Sequence, residues 1–221
     1  MNEILLICIL VISLITIYIT NKYLDKIGLI VLFIVSCILS YILSFKFATL
    51  STFTFNCNAI VYVNMFTSLY LLLEKIPKKE VKSITNLSLI INIFSGVMLY
   101  LMASYTQSLT DTIGINMTNV FIDNYRVLIA FPISLFISHK ILILIYEKIK
   151  NIYDNFFIST VTTYLAVGLI ESIVYVLISY YNILDNQTII KIALSTYMIR
   201  LIITVIYSIF LLKITNKKVK K

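Results

Sequence analysis

Long apolar stretches alternate with short polar connections along the whole chain. Each stretch is close to the ~20 residues that an α-helix needs to cross ~30 Å of hydrocarbon. The pattern predicts an all-α integral membrane protein, a bundle of about seven transmembrane helices in one domain over residues 1–221, with six as the alternative count. The predicted segments are Ile4–Ile19, Ile27–Leu43, Thr52–Leu73, Ile84–Tyr105, Val127–Tyr146, Phe157–Tyr181 and Ile189–Leu212.

The distribution of lysine and arginine predicts the orientation. Thirteen of the 18 fall into alternate connections, beginning with the one after the first segment, and into a basic tail at Lys213–Lys221. The opposite connections hold Lys46, Arg126 and Lys191. Because cytoplasmic loops carry the excess of basic residues, we expect the N-terminus outside and the C-terminal tail in the cytoplasm.

Composition supports the membrane class and excludes several others. The chain is 60% hydrophobic and 13% charged, against about 45–50% and about 25% in soluble domains. The net charge of +8 is dispersed between apolar segments, so we expect the lipid bilayer and no nucleic acid as a partner. The richness in Ile, Lys, Asn and Tyr favours an A·T-rich bacterial genome, hence a multi-pass protein of the bacterial cytoplasmic (plasma) membrane.

No catalytic or metal-binding pattern is visible. The single histidine, His139, has no nucleophile at a telling spacing, and no HExxH, Walker or GxGxxG motif occurs. Cys8, Cys37 and Cys57 are scattered without a CxxC or Cys/His pattern, which gives neither a metal site nor a disulfide framework. We therefore expect neither an enzyme nor a cofactor.

Two charges lie deep in apolar segments. Glu171 is at the middle of the sixth segment, and Arg200 lies about halfway along the seventh. Ionisable residues inside a membrane segment are expensive and often mark a substrate or ion path. Two interpretations remain open: a ligand-binding or proton-coupled carboxylate in a cavity, or a structural ion pair that joins the two helices.

Other polar residues extend this picture. The third segment is unusually polar, with Asn58 and Asn64, which favours a cavity-lining role. Ser138 and His139 follow Pro132, whose missing N–H frees a backbone carbonyl. Deep tyrosines, which would suit a flat heterocycle but are also ordinary packing material, are Tyr62, Tyr70, Tyr164, Tyr175, Tyr197 and Tyr207.

Several short motifs occur in the order and at the spacing of a known family. N-K-Y-L-D-K-I-G-L at Asn21–Leu29 is similar to a basic, glycine-containing entry to a helix. Glu74 and K-K-E-V-K at Lys78–Lys82 are similar to the end of T-D-I-L-S-E-x-x-G-K-K-E-A-K. The match continues through most of the chain.

In the second half, Arg126 opens a segment similar to R-I-x-x-x-S-x-x-x-Y-x-I-S-Q, with Ser138 and His139 in its last two places. E-S-I-V-Y at Glu171–Tyr175 resembles D-T-x-x-F, and S-T-Y-M-I-R at Ser195–Arg200 resembles T-T-Y-x-x-K. These motifs resemble the queuosine precursor transporter family, also called the VUT family of vitamin uptake transporters. The resemblance implies uptake of a small planar heterocycle such as 7-cyano-7-deazaguanine.

The chain departs from the family pattern at several polar positions. The family has acids or a glutamine where this chain has Tyr70, Leu142, Gly168 and Tyr207. Glu171 keeps an acid and Arg200 keeps the cation. These losses favour an alternative, a non-transporting membrane subunit that captures a substrate, acts as a scaffold or confers immunity.

The leading hypothesis is a transporter that is ion-coupled, facilitated, or driven by a separate energising subunit, with a homo-oligomer also compatible. We expect its binding site between the third, fifth, sixth and seventh segments. The candidate substrate-binding residues are Glu171, Arg200, Asn58, Asn64, Tyr70, Ser138, His139 and Tyr197.

Overall fold

The computed structural model describes residues 2–50, 53–106, 108, 110, 111 and 113–215. For residues 213–215 it describes the backbone only. Within that part of the chain there are seven long helices. They are α1 (Asn2–Ile19), α2 (Asp25–Leu43), α3 (Ala59–Lys75), α4 (Lys78–Ala103), α6 (Tyr125–Tyr153), α7 (Phe156–Tyr180) and α8 (Asn186–Thr215). A single helical turn, α5 (Gly114–Met117), and two π-helical turns, Thr20–Leu24 and Thr118–Ile122, lie in the connections.

Five helical stretches of the described chain are long and apolar enough to cross a membrane. They are Asn2–Leu43, Lys78–Ala103, Tyr125–Tyr153, Phe156–Tyr180 and Asn186–Leu212. These stretches support a membrane-embedded helical bundle, as predicted.

The first of these stretches contains two antiparallel helices. Its 42 residues would extend about 63 Å as one straight helix, roughly twice the ~30 Å of the hydrocarbon. Asp25, with a positive φ of 49°, ends the π-helical turn between α1 and α2. Asn2 Nδ2 donates to the carbonyl of Thr49 at 2.8 Å, so the start of α1 lies beside the chain that follows α2.

The predicted third segment, Thr52–Leu73, is wrong at its start. β1 (Phe47–Leu50) and β2 (Phe53–Asn56) pair as an antiparallel hairpin, and α3 begins only at Ala59. Threonine and aromatic residues favour strands, whereas average hydropathy does not distinguish a strand from a helix. The fold is therefore a helical bundle, as predicted, with a small hairpin that the prediction did not include.

The basic connections meet at one end of the bundle, which we call the basic end. Lys75 Nζ, at the end of α3, donates to Asp25 Oδ1, at the start of α2, at 2.5 Å. Lys150 Nζ on α6 lies 3.2 Å from Glu74 Oε2 on α3. The alternate connections that are rich in lysine therefore lie at the basic end of the bundle. That this end faces the cytoplasm stays a prediction.

Polar residues begin α7 and α8. Asn155 Oδ1 accepts a hydrogen bond from the N–H of Ile158 at 3.2 Å, and Asp185 Oδ2 accepts from the N–H of Thr188 at 2.9 Å. Such N-caps satisfy donors that have no partner inside the helix. Hydrogen bonds from the side chain and the N–H of Thr188 lower the pKa of the exposed Asp185 carboxyl, so the cap is charged at neutral pH.

The segment predicted as a basic tail, Lys213–Lys221, is partly helical. α8 continues to Thr215, because nothing in the sequence between Arg200 and that residue breaks a helix. Residues 216–221 lie outside the described part of the chain.

Candidate functional site

Glu171 on α7 and Arg200 on α8 form a buried ion pair, and each is only 1% exposed. Arg200 Nη1 donates to Glu171 Oε2 at 2.5 Å. Both residues lie near the middle of their helices, so in a bilayer the pair lies near the centre of the hydrocarbon. The contact expected between the two deep charges is present.

Arg200 has two further partners on α3. Its Nη2 donates to Asn58 Oδ1 at 2.8 Å, and its Cζ lies 3.8 Å from the centroid of the Tyr62 ring. A guanidinium over an aromatic face is attracted by the negative face of the ring. A carboxylate, an amide and a ring therefore hold the cation from different sides, as a buried charge requires.

Asn58 is positioned by the junction between the hairpin and α3. Asn56 Nδ2 donates to the carbonyl of Ser44 at 2.7 Å, and the N–H of Asn58 donates to Asn56 Oδ1 at 3.0 Å. The hydroxyl of Tyr175 on α7 donates to the same Ser44 carbonyl at 3.0 Å. Irregular backbone at membrane depth is tolerated where protein buries it, and here it places the start of α3 beside Arg200.

The N-terminal end of α3 therefore points at the ion pair. The Asn58 side chain does not cap the helix, since its amide oxygen accepts from Arg200 instead. A helix N-terminus carries a partial positive charge that favours negative groups. The site thus combines one carboxylate with two sources of positive potential.

Several polar atoms around the pair are buried and make no hydrogen bond. They are Asn58 Nδ2, Tyr62 Oη, Tyr164 Oη, Glu171 Oε1, Ser172 Oγ and Arg200 Nε. An unpaired buried polar atom costs about 1–3 kcal/mol, so such a cluster indicates a place that would hold a polar molecule. A cavity of about 10 Å³ beside Arg200, lined also by Ser172 and Thr196, has about the room of one water.

Asn64 and Tyr70, both predicted site residues, lie further along α3 toward the basic end. Asn64 Nδ2 donates to Ser36 Oγ on α2 at 3.2 Å. The Tyr70 ring packs against the Tyr146 ring with centroids 5.0 Å apart. The structure therefore does not bring these two side chains together with Glu171.

Ser138 and His139 lie on α6. Ser138 Oγ donates to the carbonyl of Leu135 at 3.0 Å. The His139 ring lies between those of Phe33 and Phe66, at centroid distances of 5.3 and 5.8 Å. Its Nε2 is buried without a hydrogen bond. His139 therefore packs between aromatic rings and is not a partner of the ion pair.

Tyr197 lies one turn before Arg200 on α8. Its hydroxyl donates to the carbonyl of Leu165 at 3.1 Å, and its ring is parallel to that of Tyr164, with centroids 6.3 Å apart and an interplanar angle of 7°. Tyr197 therefore borders the site through Tyr164.

Tyr62 and Tyr164 belong to the site, although the sequence analysis noted them only as deep tyrosines and not among the candidate substrate-binding residues. Tyr164 precedes Glu171 by two helical turns, and this spacing places both on the same face of α7. Helical periodicity around Glu171 is a signal that finds Tyr164. Nothing in the sequence indicates that Tyr62 stacks on Arg200, because that contact depends on where α3 begins.

A larger cavity lies elsewhere. An open apolar groove of about 620 Å³ runs between α4 and α6, lined by residues such as Leu89, Val97, Ile129, Ile133 and Phe136. None of the predicted site residues lines it. Its lining is mainly apolar and includes no charged side chain, although Tyr41, Tyr100 and Tyr125 border it.

No group of three or more His, Cys, Asp or Glu side chains that could hold a metal ion occurs among the described residues. Comparison with protein-family models, with curated proteins and with solved structures finds no match to this chain. The resemblance to queuosine precursor transporters therefore rests on the sequence motifs alone.

Proposed function

We propose that the chain is a membrane transporter for a small planar heterocycle, by resemblance a queuosine precursor such as 7-cyano-7-deazaguanine. The observation that carries the proposal is the ion pair of Glu171 and Arg200, buried at the middle of the bundle among unpaired polar atoms and aromatic rings. Intramembrane charges of this kind are the usual mark of a substrate path.

The chemistry of the site suits such a solute. Glu171 Oε1 makes no hydrogen bond of ordinary geometry, although the Tyr62 hydroxyl lies close enough to interact with the carboxylate. This oxygen would accept the N–H donors of a guanine-like edge in charge-assisted bonds. Asn58 Nδ2 supplies a free donor for a carbonyl or nitrile. The rings of Tyr62 and Tyr164 offer faces on which a flat ring stacks.

On this proposal the described conformation is a closed one. The cavity beside Arg200 holds about 10 Å³, far less than the ~300 Å³ and above of ordinary ligand pockets. A heterocycle would enter only when α7 and α8 separate, and it would take the place of the Arg200 guanidinium on the face of Tyr62.

A second candidate function is a non-transporting scaffold or capture subunit. The same small cavity favours it, because a pair so closely packed can also serve only to join α7, α8 and α3. In that case replacing both charges by well-packed apolar residues would keep all activity, since buried ion pairs are often replaceable in this way.

Uptake of radiolabelled 7-cyano-7-deazaguanine by cells expressing the chain tests the proposal. We expect uptake above that of cells with an empty vector, and loss of that uptake in Glu171→Gln. Lys140→Gln is the matched control, because Lys140 is an exposed cation whose Nζ lies 5.1 Å from the centroid of the Phe136 ring. Background uptake by protein that is present in the membrane would reject this substrate, and equal uptake by Glu171→Gln would reject the site.

A further inference from the structure

α7 carries a buried polar face along its whole length. The side chains on that face are Ser159, Thr160, Thr163, Tyr164, Glu171, Ser172, Tyr175 and Ser179. The helix rises about 30 Å from Ser159 to Ser179, which equals the thickness of the hydrocarbon. On the opposite, exposed side of α7, all of which the structure describes, Thr162 is the one hydroxyl.

Most of these side chains contain a polar atom that makes no hydrogen bond. Within the described chain, six buried atoms of the polar face make no hydrogen bond: Ser159 Oγ, Thr163 Oγ1, Tyr164 Oη, Glu171 Oε1, Ser172 Oγ and Ser179 Oγ. A Ser or Thr hydroxyl inside a helix commonly bonds to the carbonyl one turn earlier, as Thr160 does with Phe156 at 2.6 Å. The six unpaired atoms are therefore open to water or to one another.

Space for water and a continuation on α8 accompany the face. The cavity of about 10 Å³ is lined by Ser172, Tyr175 and Arg200, so a water there would bridge the face to the ion pair. On the other side of Glu171, Thr160 Oγ1 lies 3.0 Å from Ser208 Oγ on α8. Polar groups thus lie on both sides of Glu171 along α7.

Gly168 lies between the two halves of the polar face, the one before Tyr164 and the one from Glu171 onward, and makes room for the side chain that connects them. A Cβ at this position would lie 2.7 Å from Tyr164 Cζ and 3.1 Å from Tyr164 Oη, so the tyrosine ring lies directly over the glycine. The hydroxyl of Tyr164 is thereby carried past the apolar turn that contains Val167, toward Glu171. Without a glycine here, the polar face would be interrupted.

We propose that the polar face of α7 conducts protons to and from Glu171, which makes the proton the coupling ion of the transporter. Glu171 Oε1 takes up one proton from its neighbour on one side and releases one proton to its neighbour on the other. Each hydroxyl or water on the path gives up one proton as it receives another, so every member regains its O–H bonds after each transfer. Buried acids served by polar chains are how proton relays cross membranes. The coupling to a solute rests on the proposed function, whereas the proton path itself does not.

The surroundings of Glu171 allow it to become neutral. Within the described chain, the charged or titratable groups that face it are Arg200 on α8, Tyr62 on α3, and Tyr164 and Tyr175 on α7. When Glu171 is protonated, Arg200 keeps the Asn58 amide oxygen and the Tyr62 ring as partners. The cation therefore loses its charged partner at that stage but keeps these two contacts.

Infrared difference spectroscopy of the purified full-length protein in lipid vesicles tests this path, with deuterium from D₂O as the probe. On lowering the pH, we expect a carbonyl band of a protonated carboxyl that is lost in Glu171→Gln and moves in Glu171→Asp. The double variant Thr163→Val/Ser172→Ala removes a hydroxyl on each side of Glu171. We expect its exchange of this proton for deuterium to be several-fold slower than in the unaltered protein.

The control, Thr162→Val/Ser104→Ala, removes the same two hydroxyl types at exposed positions and should exchange at the unaltered rate. Absence of a Glu171-dependent band at every pH at which the protein stays folded would overturn the proposal. Equal exchange rates in the two double variants would overturn it as well. Neither result depends on the solute, so failure here is distinct from failure of the uptake experiment.

Discussion

The hydroxyl of Tyr41 on α2 donates to the backbone carbonyl of Leu128 on α6 at 2.8 Å. This carbonyl is the one that Pro132, four residues later, leaves without its helical donor. Gly96 on α4 provides the room, because a Cβ there would lie 2.2 Å from the Tyr41 hydroxyl. The carbonyl that Pro132 leaves without a donor thus accepts a hydrogen bond from a side chain of another helix.

This relationship predicts a conditional effect of Tyr41→Phe. Removing the hydroxyl leaves the Leu128 carbonyl unpaired and should lower stability by about 1 kcal/mol. In a Pro132→Ala background the new N–H would supply the missing donor, so the same change should cost clearly less. Thermal unfolding followed by circular dichroism in detergent gives both values. An equal loss of stability in the two backgrounds would show that Tyr41 does not stabilise the protein through this carbonyl.

Glu171 and Arg200 should be energetically coupled. Glu171→Gln or Arg200→Gln leaves the other charge buried without its partner, and each should cost about 3–5 kcal/mol. The charge-swapped variant Glu171→Arg/Arg200→Glu should recover part of that loss, although Asn58 and Tyr62 then face a different group. Lys140→Gln, at an exposed position, should have almost no effect.

A double-mutant cycle on equilibrium unfolding in detergent measures this coupling. If the effects of the two glutamine variants simply add in Glu171→Gln/Arg200→Gln, the pair does not interact directly and the proposed site loses its centre.

Gly168→Ala should destabilise the protein, although alanine is the better helix former by about 1 kcal/mol. The added methyl would lie 2.7 Å from Tyr164 Cζ, and overpacking of a filled interior costs about 1–3 kcal/mol. In a Tyr164→Val background the same change should be neutral or stabilising. Melting temperatures of the four proteins decide the matter, and a loss that persists without the tyrosine would contradict the contact.

Asp185 should stabilise the start of α8 in a pH-dependent way. Because hydrogen bonding lowers the pKa of its carboxyl in the folded protein, its contribution is present above the unfolded pKa and is lost as the pH falls through the folded pKa. Asp185→Ala should therefore lower the melting temperature at neutral pH and have little effect in acid. Asp185→Asn, which keeps the cap oxygen, should retain part of the stability at both pH values.

The sequence predicted most helices because each apolar run is long and covers most of its helix. The segment Ile27–Leu43 lies within α2 (Asp25–Leu43), and Phe157–Tyr181 nearly coincides with α7 (Phe156–Tyr180). The third segment failed at its start, because Phe raises the average hydropathy and Thr lowers it only slightly, whether they alternate along a strand or lie along a helix. Only the period of the pattern separates the two, and four residues are too few to establish it.

The site was predictable where electrostatics alone decides. Two charges deep in neighbouring apolar helices need each other, so Glu171 and Arg200 could be paired from the sequence. Asn58, Asn64 and Tyr70 are all polar residues of the same predicted apolar segment, yet of the three only Asn58 contacts the ion pair. α3 is buried nearly all round, so it has no amphipathic face that would tell which polar residue points toward α8.

The most direct test of the central claim is calorimetric titration of 7-cyano-7-deazaguanine into the purified protein in detergent. The ion-pair site predicts saturable binding at one site per chain, lost in Glu171→Gln and in Arg200→Gln and kept in Lys140→Gln, with all proteins folded by circular dichroism. Binding that is absent from the unaltered protein, or that is equally strong in Glu171→Gln, would contradict the claim that this buried pair receives the heterocycle.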